Sequence, residues 1–195
     1  MRPLHYIPDD QVMGARIGGT VPRGLESEAS DDLVQYFGTF PVIACPEIEF
    51  SMFHRFDIFG DDATRDVLDH NNRILSPFEL LWVVVHGPSE RGDMAARPFE
   101  ARGLTIDAES PDEVVDDDGT VMPYNESKLG GVCFLERYWL QDAVSAIETD
   151  GYRLLLTIGM HGSDLIDGFP WDPGCLHVWA RKPDQADTYR FLVEQ

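Results

Sequence analysis

Between Ile48 and Ile58 the side chains alternate. Ile48, Phe50, Met52, His54, Phe56 and Ile58 fall on one side, and Glu49, Ser51, Phe53, Arg55 and Asp57 on the other. Period two predicts a half-buried strand. It also places His54 on the apolar face, as a core histidine with one satisfied nitrogen. Upstream, Val34, Tyr36, Phe37, Phe40, Val42 and Ile43 supply β-formers interrupted by Gly38 and Pro41. Phe78 to His86 contains the apolar run Leu80-Leu81-Trp82-Val83-Val84-Val85, a buried strand too short to cross a bilayer. Further strands are expected at Val132 to Leu135, Arg153 to Ile158, Cys175 to Ala180 and Thr188 to Val193, with Ile106 ending a short one.

Helical patterning is sparse. Ala63 to Leu75 follows Asp61 and Asp62, whose carboxylates suit a helix N-terminus. Tyr138 to Thr149 puts Trp139, Ala143, Ala146 and Ile147 on one face and closes at Asp150-Gly151. Residues 1–32, Gly87 to Gly103 and the segment 159–174 are rich in Gly, Pro or charge and read as irregular. The fold class predicted is α+β: β-rich, with mostly antiparallel sheets and a few short helices. A chain of 195 residues suits a single domain. It also fits two related lobes, about 1–106 and 120–195, joined by an acidic loop.

An internal echo bears on that second option. Arg16-Ile17-Gly18-Gly19-Thr20 matches Lys128-Leu129-Gly130-Gly131-Val132 in type, and each copy precedes a β-rich stretch. This is the pattern of a pseudo-duplicated chain. Glycine at such turns permits positive φ or close chain packing, and Lys128 beside its turn reads as a solvated side chain.

Charge narrows the function classes. Asp and Glu number 35 against 15 Lys and Arg, a formal net charge of −20. Phosphate neutralisation needs clustered cations, so direct nucleic-acid binding is disfavoured, as is an anionic membrane surface. A cationic partner is the electrostatic complement. A charged surface that keeps the chain soluble explains the same count. The acidity is densest from Asp107 to Gly119, where seven of thirteen positions are acidic. That run is a solvated loop or a docking surface. Asp61, Asp62, Asp66 and Asp69 form a second cluster. The N-terminal ten residues carry no signal-peptide pattern, and a cytoplasmic location is expected.

Catalytic signatures are weak. Cys45, Cys133 and Cys175 are odd in number and far apart, which suits buried free thiols better than disulfides or a cysteine-ligated zinc. His161, Asp164, Asp167, Asp172 and His177 are candidate metal ligands, and Cys175 and His177 share a strand face, but no tight ligand signature is present. Asp112, Asp116 and Asp118 before Gly119 have Val114 at a ligand position and lack the terminal Glu of a calcium loop. There is no nucleophile elbow, phosphate loop or dinucleotide fingerprint. The expectation is a non-enzyme without metal or cofactor.

Ser127-Lys128-Leu129-Gly130-Gly131, followed by Trp171-Asp172-Pro173-Gly174-Cys175-Leu176-His177-Val178-Trp179, resembles the YwqG-like family of mostly uncharacterised bacterial cytoplasmic proteins. The resemblance covers roughly residues 120–185. The chain departs from the pattern by lacking a Gly between Trp171 and Asp172 and by continuing its second Gly-Gly turn through Val132-Cys133-Phe134. The resemblance implies a β-rich α+β fold with internal pseudo-repetition. Because some relatives look like inhibitors encoded beside bacterial toxins, it also implies an immunity role.

These readings combine into one expectation. The protein neutralises a basic partner, a cognate toxin with nuclease activity, by direct binding and active-site occlusion. Asp61, Asp62, Asp112, Glu113, Asp116, Asp117, Asp118 and Trp171 are the expected contacts. The alternative is a metal- or small-ligand-binding enzyme using the loop 159–174, with His161 and Asp164.

Overall fold

The computed structural model describes residues 1–7, 15–55, 81–95, 102–115, 117–124, 126–135, 140–159 and 175–194. The expected helix at Ala63 to Leu75, and the loop 159–174 from residue 160 onward, lie outside them.

The described residues form fourteen strands: β1 (Arg2–Ile7), β2 (Arg16–Ile17), β3 (Thr20–Pro22), β4 (Val34–Val42), β5 (Cys45–Arg55), β6 (Leu81–His86), β7 (Arg91–Ala95), β8 (Arg102–Ile106), β9 (Glu113–Val115), β10 (Val121–Pro123), β11 (Lys128–Leu129), β12 (Arg153–Ile158), β13 (Cys175–Ala180) and β14 (Tyr189–Glu194). Ten of them make one sheet in the order β14-β13-β12-β11-β1-β8-β2-β4-β5-β6. Every pairing in it is antiparallel. The outer strands β14 and β6 approach one another, so the sheet curls into a nearly closed, barrel-like form. Tyr189 packs across the gap on Phe50, ring centroids 5.4 Å apart. The helix α1 (Gln141–Thr149) is the only α-helix among the described residues. The fold is therefore strand-rich, and among the described residues the α part of the expected class is the nine-residue helix α1.

The inside of the curl is the main core. Ile17, Phe40, Phe50, Met52, Leu129, Leu156, Leu176, Val178 and Phe191 fill it. Phe50, Met52 and His54 of β5 are buried as expected, but Ser51 and Phe53 between them are buried too, so the strand is not half-buried. The outer face of β5 is not left to solvent, however. Phe53 stacks on Trp82 at 5.9 Å and packs with Val21, Ala29, Val34 and Tyr36. On the other half of the sheet, α1 places Val144 over Leu154, Trp179 and Leu192. Both faces are thus covered, which a polar-looking strand pattern conceals.

Expected irregular segments contain pairing. Residues 16–22 form β2 and β3, and β7 and the start of β8 lie within Gly87 to Gly103. Conversely, Val132 to Leu135 is not a strand.

The two Gly-Gly turns occupy corresponding places. Gly18 and Gly19 have φ of 67° and 80°, and Gly130 and Gly131 have 67° and 87°. The Gly18 amide donates to the Phe37 carbonyl, and the Gly130 amide to the Leu155 carbonyl. Phe37 and Leu155 are each the extra residue of a β-bulge, in β4 against β5 and in β12 against β13. Arg16 pairs with Gly103 and Thr39, and Lys128 with Pro3 and Thr157. The Leu104 amide donates to Ala15, and the Leu4 amide to Ser127. A local two-fold relation maps β8-β2-β4-β5-β6 onto β1-β11-β12-β13-β14, with its axis at the paired residues His5 and Thr105. β1 precedes the first half in sequence but pairs with β11 of the second. β8 precedes the second half but pairs with β2 of the first.

Candidate functional site

Asp107 to Asp118 divides into parts with different roles. Asp112 is turned largely away from solvent. Its carboxylate accepts from the Lys128 ammonium at 2.6 Å and from the Val132 amide. Lys128 is fully buried, against the expectation of a solvated side chain. Its ammonium also donates to the Tyr124 and Val132 carbonyls, both at 2.8 Å. Three acceptors around one ammonium use all its donors, which is what makes a buried lysine tolerable.

This cation sits at the root of a hairpin. Among the described residues, β9 and β10 pair only with each other, through Val115–Val121, Val114–Met122 and Glu113–Pro123. Asp112 precedes β9 and Tyr124 follows β10, so Lys128 fastens both ends. Above that root the hairpin is open to solvent. Glu113, Asp117 and Asp118 are exposed, and so are Val114, Val115 and Val121. Asp112 thus belongs to the anchor, while Glu113, Asp117 and Asp118 belong to the exposed face. Asp61, Asp62, Asp116 and Trp171 lie outside the described residues, as do Asp66, Asp69, His161, Asp164, Asp167 and Asp172.

The composition gave no hint of two buried polar rows on the outer face of the sheet. In the first half, the Tyr36 hydroxyl meets Thr39 Oγ1 at 2.5 Å, Thr39 meets Ser51 Oγ at 2.8 Å, and Ser51 meets His86 Nε2 at 2.7 Å. His86 Nδ1 lies 4.0 Å from Glu49, whose carboxylate accepts from the Ser89 amide and hydroxyl. In the second half, Thr157 Oγ1 lies 3.1 Å from His177 Nδ1, and His177 Nε2 lies 3.1 Å from Glu194. Corresponding places hold Thr39 and Thr157, Ser51 and His177, and His86 and Glu194.

Hydroxyl, imidazole and carboxylate in a row are the residue types of an acyl-transfer relay. Here Ser51 and Thr157 are buried at 0% and 2% exposure, so neither oxygen meets a substrate. What the rows do in this geometry is tie neighbouring strands together with satisfied polar groups. Burial raises the Tyr36 hydroxyl above its ordinary range, outweighing the nearby Arg16, so it stays neutral. His54, on the inner face, is pushed down to about 4 by burial, with only the Arg55 carbonyl opposing.

Among the described residues, two clefts open on this framework. One of about 280 Å³ runs along the Gly130-Gly131 turn, between Arg2, Ile43, Glu109 and Arg153. The other, of about 340 Å³, lies among Arg23, Leu25, His86, Ser89 and Glu90. The second touches the first polar row at its outer end, through His86 and Ser89.

None of the described helices is long and apolar enough to cross a membrane. Comparisons with family models, with curated proteins and with solved structures returned no match.

Proposed function

We propose that the protein is an acidic binding protein of the immunity type, which neutralises a cationic nuclease toxin by covering its active site. The observation that carries this reading is the hairpin of β9 and β10. Its valines Val114, Val115 and Val121 are exposed, and Glu113, Asp117 and Asp118 stand beside them. An apolar patch rimmed by carboxylates combines the two parts of a docking surface, burial for affinity and charge for steering. The chain's net charge of −20 extends the same field over the molecule. A nuclease groove must attract phosphate, so carboxylates set on a rigid hairpin compete with nucleic acid for it.

The hairpin's rigidity is part of the argument. Lys128 holds Asp112 and Tyr124 from below, so the carboxylates are presented on a fixed base rather than on a loose loop. We infer further that the corresponding halves of the sheet arose by internal duplication. The hairpin was then added between β8 and β11 of the second copy.

The test is capture from native lysate at low salt, followed by titration of the retained protein at rising salt and assay of its nuclease activity. One basic nuclease, bound one-to-one and inhibited, supports the reading. The triple variant Glu113→Gln, Asp117→Asn, Asp118→Asn is expected to slow association about tenfold or more at low salt. Capture of no basic protein, or an unchanged rate in the triple variant, overturns it.

A further inference from the structure

We propose that Cys175, His177 and Glu194 form a zinc-binding site under the segment 132–135, with Cys133 as the fourth donor. The site lies on the outer face of the β13–β14 hairpin. Cys175 and Glu194 are direct cross-strand partners, and His177 stands two residues along on the same face. One ligand atom from each of the three lies within 4.8 Å of the others, and all three side chains are buried.

The donor set fits a borderline-soft divalent cation, which takes thiolate, imidazole and carboxylate together. His177 and Glu194 already stand at a suitable separation. Their facing atoms are 3.1 Å apart, near the ~3.3 Å edge of a tetrahedron with bonds of ~2.0–2.1 Å. The outer imidazole nitrogen is oriented by Thr157, 3.1 Å away. When Thr157 accepts from Nδ1–H, Nε2 and the Glu194 carboxylate turn two lone pairs toward one point. A cation satisfies both, and an oriented histidine of this kind is a usual support for a zinc ligand.

Cys133 comes from the segment that follows the second Gly-Gly turn. It packs against the cluster of Leu140, Val144, Tyr152, Leu154, Trp179 and Leu192. Its neighbour Val132 gives its carbonyl to the Lys128 ammonium. Zinc with one carboxylate and one thiolate is neutral. A second thiolate leaves one negative charge. The corresponding place in the first half holds Glu49, Ser51 and His86, which include no thiol, so the proposal concerns the second half alone.

The experiment uses the full chain, reduced and treated with chelator, then loaded with zinc or cobalt(II). After gel filtration the expected metal content is one equivalent per chain. The cobalt form is expected to show a thiolate-to-metal charge-transfer band and tetrahedral d–d bands. Cys175→Ser and His177→Ala should each weaken zinc binding by about tenfold or more. Cys133→Ser should weaken binding and diminish the charge-transfer band. Glu49→Gln, in the corresponding first-half position, should leave both unchanged. Absence of tightly held metal in the wild-type chain overturns the proposal, as does a cobalt spectrum without thiolate character. Zinc affinity unchanged in Cys175→Ser overturns it too. An unchanged spectrum in Cys133→Ser removes Cys133 from the ligand set.

Discussion

Lys128 and Asp112 form an ion pair of 2.6 Å whose ammonium is wholly withdrawn from solvent. The carboxylate retains slight exposure and also receives the Val132 amide. Removing one member leaves the other buried and unpaired, the costly way to break such a pair. Asp112→Ala is expected to lower stability by about 3–5 kcal/mol in urea unfolding. Asp117→Ala and Asp118→Ala, on the exposed part of the same acidic run, should each change it by less than about 0.5 kcal/mol. Equal losses at all three positions would refute the division of the run into anchor and face.

Gly38 of β4 is where β2 comes closest. A Cβ there would collide with the Arg16 carbonyl oxygen and lie 3.2 Å from Ile17 Cα. Both obstacles are backbone, so neither can swing aside. Gly38→Ala should cost about 1–3 kcal/mol, the range for an overpacked interior site. For a chain of this size that lowers Tm by several degrees, at about 2–4 °C per kcal/mol. Gly24, at φ 92° with nothing within 4 Å of a built Cβ, offers a comparison in which only backbone strain is at stake. A smaller loss at Gly38 than at Gly24 would deny the close approach of β2.

Much of the sheet is legible in the sequence because alternation and β-branching are local properties. The β5 pattern placed Phe50, Met52 and His54 on one face, and all three are buried. The echo of Arg16 to Thr20 in Lys128 to Val132 marked two turns that hold corresponding places in the sheet. What local pattern could not carry is which residues meet across strands. Ser51 and His86 are 35 positions apart, and Thr157 and His177 are 20. Their meeting depends on bulges and register, for which no single segment holds a signal. Lys128 was misread for the same reason. A lysine beside a Gly-Gly turn looks solvated until Asp112, Tyr124 and Val132 are folded around it.

His54 makes stability depend on pH. Its pKa is pushed down to about 4 in the folded chain, against 6.5 for an unburied imidazole. Above pH 6.5 both states are neutral, and the site contributes its full stability. As pH falls from 6.5 toward 4 the unfolded chain takes up a proton that the folded chain refuses, so stability declines. The loss is about 1.4 kcal/mol per pH unit, or on the order of 3 kcal/mol across the window. Below pH 4 this contribution stops changing. Urea unfolding of wild type and His54→Gln at half-unit intervals tests it. The variant should lack most of the decline between pH 6.5 and 4, and parallel curves would show that other groups cause it.

The exchanged strands make the two halves of the chain interdependent. A break between Ala95 and Arg102 would separate the first copy from the second in sequence. It would leave β1 on the fragment that lacks its partner β11, and β8 on the fragment that lacks β2. Each fragment alone would expose Ile17 or Leu129, which are fully buried in the intact sheet, together with unpaired edges on the neighbouring strands. Mixed, the fragments can restore every pairing of the central strands, including β1 on β8 from Leu4–Ile106 to Ile7–Gly103. We expect fragments 1–98 and 99–195 to form a one-to-one complex with the circular dichroism of the intact chain. Neither alone should show cooperative unfolding. If each fragment instead unfolds cooperatively as a monomer and the two do not associate, the halves are independent lobes and the exchange of β1 and β8 contributes nothing essential. Moving the break to follow β1 distinguishes strand exchange from general stickiness. A short peptide spanning Arg2–Ile7 should then rescue the truncated chain, because its two ladders, to β11 and to β8, are the central seam of the sheet.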